Sequence, residues 1–436
     1  MTSATHVQPP APESSPGRTA ARAVLGVAII GVVALAVALY MINLCVLSPW
    51  HGGFDLKVYR GAVIWWLHHK PLYTFHRNAT PYGFTYPPFA ALTMLPMALF
   101  SQSTALWING TFSAVVLGVL TWWLVAPIAA RHGWSRWFAV GVAVPLVYVM
   151  EPVRETIAYG QVNLYLMALV LVDIALLARG NRLAGVGTGL ATAIKLTPGL
   201  VILYLLITGR WRAAATALGT FAGATLLAAA VAPGTSKQFW TVTLFETKRV
   251  GKVQSADNQS VLSLLARAFG TGTLTSVLWV AAAGLVLVFG MRRARAAWRR
   301  GDELVGVTLT GLVACLVSPI SWTHHLVWVA PAILVLVDVA AGTPVSGTGR
   351  PLQRRVLAGA SALAGCVVFG LSVVWYFARF DGSMPDHGVV AEIGADAYVL
   401  AMLALLALVP IRDLSSRAAG PDGSPARIAV GTARPD

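Results

Sequence analysis

Asp55 is the residue of this sequence best placed for acid–base chemistry. It lies in the stretch FDLKVYRGAVIWWL, a few residues after an apolar run at 23–47 that is long enough to cross a bilayer. The stretch predicts an amphipathic helix, and a carboxylate at a helix start is stabilised in its ionised form. An ionised carboxylate can accept a proton as a general base. The same position suits a helix cap, so the residues alone leave catalysis and capping equally open.

Three cations are candidates for holding an anion. Lys195 interrupts the apolar stretch ATAIKLTPGL, where an ammonium group is costly unless it meets an anion or a polar cavity. Lys248 and Arg249, in FETKRVG, belong to a cationic segment whose predicted outer location runs against the positive-inside rule. Each of the three is therefore a candidate ligand for a phosphate group or an anionic lipid.

A pair of histidines, His324 and His325, ends the stretch SPISWTHH. We expect this pair at the outer start of a helix, where negative charge is favoured, with one ring bonding a phosphate or a hydroxyl group. Neighbouring residues on a helix point about 100° apart, which argues against one metal ion shared by both rings. The sequence has no DxD, HExxH, GxSxG or Walker motif, so it predicts no metal site.

Side-chain amides form a further set of candidates. Gln161 and Asn163 follow a predicted turn at Gly160, and Asn258 and Gln259 lie in the stretch DNQS. Amides both donate and accept hydrogen bonds, which suits the recognition of hydroxyl groups. Both pairs are therefore candidates for binding a sugar, although a polar turn that satisfies its own hydrogen bonds is an open alternative for the first pair.

The composition places all these residues in a membrane protein. The chain has 436 residues, of which 57% are hydrophobic and only 11% charged, and its mean hydropathy is +0.70. Soluble globular chains are about one quarter charged. The formal net charge of +15 comes largely from arginines clustered between apolar runs, as control of membrane topology requires, and no nucleic-acid partner is expected. We predict an all-α, polytopic fold.

The apolar runs and their flanks define three segments. Residues 1–22 and 412–436 are rich in Pro and small residues, and we expect both to be disordered cytoplasmic tails. Residues 23–411 are expected to form one membrane-embedded domain with an outer catalytic loop at 48–86. The run at 23–47 is too long for the core of a signal peptide, so it is expected to remain as the first helix.

The basic clusters predict roughly twelve crossings with both termini inside, given two interpretations. The run at 87–100 is short and is expected to be a juxtamembrane helix on the outer face that does not cross. The run at 191–210 is expected to break at Lys195–Pro198 and to return, because proline removes a backbone donor and clashes with the preceding turn. The main inside clusters are then Arg179 and Arg182, Arg210 and Arg212, Arg292 to Arg300, and Arg350 to Arg355.

This topology separates the acids by side. Of the 17 Asp and Glu residues, nine are expected on the outer side, and the others lie inside or near inner helix ends. Any acid–base chemistry is therefore expected to face outward from the plasma membrane. The outer acids are Asp55, Glu151, Glu155, Glu246, Asp257, Asp381, Asp386, Glu392 and Asp396.

An ordered set of stretches resembles a known enzyme family. The stretches, from about residue 54 to 325, are FDLKVYRGA, TYPPFAAL, YGQVNLYLMAL, ATAIKLTPGL, FETKRVG, DNQSVLSLL and SPISWTHH. They are similar to those of the actinobacterial polyprenyl-phosphate-mannose-dependent α-1,2-mannosyltransferases, within the C superfamily of glycosyltransferases. Among these, the enzymes that extend phosphatidylinositol mannosides are the most similar.

The resemblance implies a C-type glycosyltransferase fold and an inverting transfer of mannose from a polyprenyl phosphate to a mannosylated glycolipid. Asp55 stands where the family has its catalytic carboxylate and would deprotonate the acceptor 2-hydroxyl. The donor phosphate would lie among Lys195, Lys248, Arg249, His324 and His325, while Tyr86, Gln161, Asn163, Asn258 and Gln259 would bind the acceptor or the sugar. Membrane lipids are the other expected partners, and no cofactor is implied.

Other functions fit the same residues. A sister enzyme that adds side-chain mannose to lipomannan or lipoarabinomannan differs only in its acceptor, and an arabinofuranosyltransferase that uses decaprenyl-phosphate arabinose has a similar architecture. A flippase of lipid-linked sugars is a different class, for which broken helices in both halves are expected. The sequence predicts one break, near Pro198, which argues against transport.

Overall fold

The computed structural model describes residues 51–77, 82–246, 249–345, 350–379, 382–383 and 388–414. Within these ranges every regular element is a helix, with isolated β-bridges but no strand, so the predicted all-α fold is confirmed. The predicted tail at 1–22, the first helix at 23–47, Lys248 and most of the tail at 412–436 lie outside the described residues.

The helices are mostly short and follow one another closely. Short 3₁₀ turns join several of them, at Leu72–Thr74, Leu95–Leu99, Thr197–Gly199, Thr243–Phe245, Thr323–His325 and Val373–Tyr376. The α-helices are α1 (Phe54–Leu67), α2 (Pro88–Met94), α3 (Gln102–Arg131), α4 (Arg136–Val149), α5 (Glu151–Tyr159), α6 (Asn163–Ala178), α7 (Val186–Ile194), α8 (Leu200–Ile207), α9 (Trp211–Val231), α10 (Pro233–Thr241), α11 (Val261–Phe269), α12 (Thr273–Arg299), α13 (Glu303–Val317), α14 (Val329–Ala340), α15 (Pro351–Gly370), α16 (Val389–Ala395) and α17 (Ala397–Leu408).

Four of the described helices, α3, α9, α12 and α15, are long and apolar enough to cross a membrane. Two bent pairs, α4 with α5 and α16 with α17, raise the number to six if each pair is one span, with bends of 72° and 64°. Five further apolar helices are shorter, at 10–17 residues. The predicted number of roughly twelve crossings is therefore not confirmed, because breaks divide several apolar runs that look continuous in the sequence.

The break expected at Lys195–Pro198 is present. Helix α7 ends at Ile194, Lys195 has extended backbone angles (φ −148°, ψ 128°), and Pro198 lies in the 3₁₀ turn before α8. The run at 87–100 is likewise a short helix, α2, followed by a 3₁₀ turn. Helices α2, α7 and α8 are each too short to span the hydrocarbon core.

The start of α1 is fixed against the turn between α5 and α6. Gly160 adopts a left-handed conformation (φ +73°), and a Cβ there would lie 2.6 Å from Cβ of Leu56. A glycine is therefore needed for this close approach. The amide of Gly53 also donates to the carbonyl of Ala158 at 2.9 Å. These contacts bring Asp55, in the first turn of α1, next to Gln161 at the start of α6.

Candidate active site

A cavity of about 690 Å³ lies where the start of α1, the α5–α6 turn, the Lys195 break and the 3₁₀ turn Thr323–His325 meet. Its volume is within the range of about 300–1,000 Å³ that is typical of small-molecule sites. The charged and polar lining comes from separate parts of the sequence. It includes His51, Asp55, Tyr59, Tyr82, Tyr86, Tyr159, Gln161, Lys195, Glu246, Arg249, Asp257, Trp322, His324, His325 and Trp375.

Asp55 lies in this cavity with one partner for its carboxylate among the described side chains. Nε2 of Gln161 donates a hydrogen bond to Oδ2 of Asp55 at 2.8 Å. Burial raises the pKa of Asp55 from its ordinary value of 3.8 to about 6, and the Gln161 hydrogen bond and the charge of Lys195 oppose this rise. Such a carboxylate is ionised at neutral pH yet basic enough to accept a proton.

The side chain of Gln161 joins several of the predicted residues. The hydroxyl of Tyr86 donates to Oε1 of Gln161 at 2.9 Å, and Nε2 of Gln161 lies 3.2 Å from Nε2 of His324. The hydroxyls of Tyr59 and Tyr86 are 3.0 Å apart. The sequence predicts that Gln161 and Tyr86 bind a sugar, and in this structure they are hydrogen-bonded to each other. Their contact with a sugar stays a prediction.

Lys195 enters the cavity from the other side, through the gap between α7 and α8. Its Nζ donates to Oδ1 of Asn163 at 2.9 Å and lies 5.3 Å from the ring centroid of Tyr86. Nδ2 of Asn163 in turn donates to the backbone carbonyl of His324 at 2.8 Å. Among the described residues, Lys195 has no carboxylate within ion-pair distance. Burial lowers the pKa of Lys195 from its ordinary value of 10.5 to about 7. An anionic ligand would hold the ammonium group in its charged form.

His324 and His325 occupy the 3₁₀ turn Thr323–His325. The expectation that this pair begins an α-helix was wrong, since the next helix, α14, starts at Val329. The two rings are nearly perpendicular, with centroids 4.7 Å apart. Burial, aided by the charge of Lys195, lowers the pKa of both rings well below the usual value, so both are neutral. Within the described ranges, no three His, Cys, Asp or Glu residues are grouped to hold a metal ion.

Arg249 also lines the cavity, but its guanidinium is partly engaged. It donates to the backbone carbonyl of Tyr73 and lies 3.7 Å from the carboxylate of Glu246. The structure thus brings Lys195, Arg249, His324 and His325 to the same cavity. Lys248 lies outside the described residues.

Asn258 and Gln259 are not brought to the cavity. Both are fully buried, and Nδ2 of Asn258 donates to the carbonyl of Val253 at 3.1 Å while its Oδ1 accepts from the amide of Ser321 at 2.9 Å. The amide of Gln259 similarly bonds backbone atoms, including the carbonyl of Ala395 at 2.7 Å. These contacts hold loops together and leave no group of either side chain facing the cavity.

Sequence reasoning missed His51, which lines the cavity four residues before Asp55. Nε2 of His51 lies 2.5 Å from Oε2 of Glu155, and its ring stacks on Tyr159 with centroids 4.0 Å apart. The sequence around Glu155 suggests a short outer connection, whereas the structure has the helix α5 there, with Glu151 and Glu155 both buried. The available signal in the sequence was the position of His51 four residues before Asp55. That spacing does not predict a shared site, because His51 precedes the start of α1.

The sequence matches a known protein family and several named proteins. The sequence profile of glycosyltransferase family 87 matches residues 84–319. The chain is 36% identical over 300 residues to the polyprenol-phosphate-mannose-dependent alpha-(1-2)-phosphatidylinositol mannoside mannosyltransferase of Mycobacterium tuberculosis, covering 65% of this chain and 69% of that protein.

Other similar proteins are named for a different acceptor, phosphatidylinositol pentamannoside. The chain is 32% identical over 260 residues to the polyprenol-phosphate-mannose-dependent alpha-(1-2)-phosphatidylinositol pentamannoside mannosyltransferase of Mycolicibacterium smegmatis, covering 59% of this chain and 61% of that protein. Among solved structures, ArnT from Cupriavidus metallidurans in the apo state aligns with 92% of this chain and 79% of its own, at 18% identity and a TM-score of 0.34.

Proposed function

The chain belongs to glycosyltransferase family 87, and we propose that it transfers mannose from polyprenol-phosphate-mannose to a phosphatidylinositol mannoside in α-1,2 linkage. The names of relatives that are 36% and 34% identical to it support this donor, acceptor and linkage. The single observation that carries the proposal is the cavity itself, which is lined by an ionisable carboxylate, Asp55, and by Lys195, whose described hydrogen bond goes to the Asn163 amide and not to a carboxylate.

The proposed reaction is a single displacement at C1 of the donor mannose. The acceptor 2-hydroxyl oxygen forms the new bond to C1 while the bond from C1 to the phosphate oxygen breaks, and the phosphate leaves with that electron pair. The proton of the attacking hydroxyl moves to the carboxylate of Asp55. Attack from the face opposite the leaving group inverts the configuration at C1, which requires one base and no second carboxylate as a nucleophile.

Lys195 and His324 are the groups we assign to the leaving phosphate. Charge grows on the phosphate as the C1–O bond breaks, and donors that are already in place stabilise it without reorganisation. Lys195 lies at the break between α7 and α8, where a bound phosphate would hold its ammonium group in the charged form, and its contact with Asn163 fixes the direction of its side chain. Arg249 lines the same cavity and is assigned to the phosphate more weakly, since its guanidinium already bonds Tyr73.

The proposed acceptor side of the cavity is its aromatic wall. The rings of His51 and Tyr159 stack there with centroids 4.0 Å apart. His324, which is assigned to the phosphate, borders this wall with its ring centroid 5.0 Å from that of Tyr159. Rings of this kind suit the apolar face of a sugar, and Asp55 lies beside this wall. Tyr86 is assigned to the sugar through the face of its ring. Asn163 is assigned an indirect role, because it accepts a hydrogen bond from Lys195.

We further propose that the cavity opens to the outer face of the plasma membrane. The basic clusters at the ends of apolar helices support this orientation through the positive-inside rule. A cysteine in place of Lys70, an exposed residue of the predicted outer loop at 48–86, is expected to react in intact cells with an impermeant thiol reagent. A cysteine in place of Gly301, at the end of the α12 arginine cluster, is expected not to react, and the reverse pattern would contradict the orientation.

The function is tested by incubating the purified protein with polyprenyl-phosphate mannose and a series of phosphatidylinositol mannosides. We expect one hexose to be added to at least one acceptor, and an α-1,2-specific mannosidase to remove it. The Asp55→Asn variant is the matched control and is expected to give no comparable product. Transfer to lipomannan but to no phosphatidylinositol mannoside would favour the side-chain enzyme, and transfer from an arabinose donor alone would overturn the proposal.

A further inference from the structure

The amide of Gln161 contacts both reacting ends of the proposed site at once. Gln161 is 4% exposed, and its nitrogen Nε2 lies 2.8 Å from Oδ2 of Asp55 and 3.2 Å from Nε2 of His324. Asp55 is the proposed base, and His324 is a proposed ligand of the leaving phosphate. The role assigned to Gln161 therefore rests on the proposed function.

The orientation of this amide is fixed by its neighbours. An ionised carboxylate only accepts hydrogen bonds, so the group of Gln161 that faces Asp55 has to be the NH₂ rather than the carbonyl oxygen. The oxygen, Oε1, then points to the hydroxyl of Tyr86, which donates to it at 2.9 Å. The opposite orientation would place Oε1 against the carboxylate of Asp55, two acceptors at 2.8 Å, and would be repulsive.

The fixed amide in turn dictates the state of His324. An amide nitrogen has two hydrogens, and with one directed at Asp55 the other is available to the imidazole nitrogen at 3.2 Å. Because an amide NH₂ does not accept a hydrogen bond, Nε2 of His324 has to be the acceptor and carries no proton. A neutral imidazole that lacks a proton on Nε2 has its proton on Nδ1.

We propose that Gln161 is a positioning residue that locks His324 as the neutral tautomer with its proton on Nδ1. Within the described part of the chain, no group accepts a hydrogen bond from Nδ1 of His324, and His324 lines the cavity. The locked ring thus presents an N–H donor to a ligand. The other tautomer would direct an N–H at the Gln161 amide and a lone pair at the phosphate.

The lock explains two features that a sugar-binding role for Gln161 does not. Both hydrogens of its amide nitrogen are engaged with Asp55 and His324, and its oxygen already accepts from Tyr86. The hydroxyl of Tyr86, moreover, is backed by the hydroxyl of Tyr59 at 3.0 Å, and the backbone carbonyl of Tyr86 is held by the hydroxyl of Tyr73 at 2.9 Å. A chain of tyrosines therefore maintains the orientation of one amide.

The tautomer is measured directly by nitrogen-15 NMR of the full-length protein labelled at histidine, in detergent and without substrate. The signals of His324 are identified by their loss in His324→Ala. We expect a protonated Nδ1 and an unprotonated Nε2 in the parent protein. A proton on Nε2, or on both nitrogens at neutral pH, would overturn the inference, and it would do so without any bearing on whether the protein transfers mannose.

Two variants of similar size sharpen the test. In Gln161→Glu the new carboxyl group and Asp55 hold one proton between them. The carboxyl oxygen that faces His324 can then only accept, so we expect the proton of His324 to move to Nε2. In Gln161→Met the lock is absent, and we expect a mixture of both tautomers with turnover about tenfold lower and the donor KM little changed. Gln254→Met, which removes an amide bonded to the carbonyl of Ala266 outside the cavity, is the control. An unchanged tautomer in both Gln161 variants would contradict the proposal.

Discussion

Two groups of buried charges in this protein are built in opposite ways. One is the cavity around Asp55 and Lys195. The other, here called the saturated cluster, consists of Arg131, His132, Asp302, Asp338 and Arg412. Both lie in a helical protein where an isolated charge is expensive. The difference between them lies in how completely each group supplies its own partners.

In the saturated cluster, both carboxylates have their oxygens occupied. Arg412 bonds Asp302 at 2.6 Å and Asp338 at 2.8 Å, and Asp338 also accepts from Arg131 at 2.6 Å and pairs with His132 at 3.0 Å. Both acids and Arg412 are almost completely buried. The cluster joins the end of the described chain to α13 and α14, and no charge in it is left for a ligand.

The cavity lacks this completeness. Asp55 has one amide partner, Lys195 has another, and the two charges do not form an ion pair. Buried charges without counter-ions are costly, and they persist in proteins where a ligand or a reaction uses them. Burial of charge alone therefore does not identify a site in this protein. A site is identified instead by charged groups that have unused hydrogen-bonding capacity and that line an open cavity.

The largest expected effect is in the cavity. Asp55→Asn keeps the size of the side chain but cannot accept the acceptor proton, so we expect turnover to fall by at least about a hundredfold. Donor affinity and the thermal unfolding temperature are expected to stay near the parent values. Turnover within a few-fold of the parent would show that Asp55 is not the base and would remove the contrast with the saturated cluster.

The saturated cluster should respond in stability instead. Arg412→Met leaves Asp302 and Asp338 short of a buried partner, which is expected to cost about 3–5 kcal/mol of folding free energy. The measurement is thermal unfolding in detergent beside the single-turnover rate of the fraction that stays folded. A normal unfolding temperature with a large loss of rate would reverse the assignment of the two groups.

Lys195 is expected to give a smaller effect, on binding. Replacing it by methionine removes a charged hydrogen-bond donor worth about 1.5–3 kcal/mol, which corresponds to a roughly ten- to hundredfold weaker donor. Lys70→Met is the matched control, because Lys70 is exposed and lies over the ring of Trp65. Equal donor affinities for the two variants would show that the phosphate is held elsewhere.

The smallest effect concerns Asn258, which the sequence predicts to bind the sugar but which is bonded to the backbone on both sides. Asn258→Ala is expected to lower the free energy of unfolding by about 1–3 kcal/mol and to leave the acceptor KM unchanged. A raised acceptor KM in a protein of normal stability would restore the sugar-binding role.

The sequence was sufficient for the features that depend on local chemistry. Lys195 stands out because a lysine in an apolar run needs an explanation, and the adjacent proline predicts the break that the structure contains. Asp55, Arg249, His324 and Gln161 are assigned to one site by the family resemblance rather than by local chemistry, and the structure brings all four to one cavity.

What could not be predicted depends on long-range packing. The Gln161 contacts join residues from α1, the α5–α6 turn and the turn at Thr323–His325, whose relative placement has no local signature. Asn258, like Gln161, carries a side-chain amide in a polar stretch of the sequence. In the folded chain, however, its amide donates to backbone carbonyls. The predicted number of crossings is not confirmed for a related reason. Breaks such as the one at Met150 are tolerated in a membrane where tertiary contacts satisfy the freed backbone groups.

The most direct test of the central claim is the pH dependence of mannose transfer under single-turnover conditions with saturating donor. A general base has to be ionised, so activity is retained above the pKa of Asp55 and lost as the pH falls through it. With that pKa raised to about 6 by burial, we expect a roughly tenfold decrease for each pH unit below about 6. The low residual rate of Asp55→Asn is expected to lack this acid limb. An acid limb that persists unchanged in Asp55→Asn would contradict the assignment of Asp55 as the base.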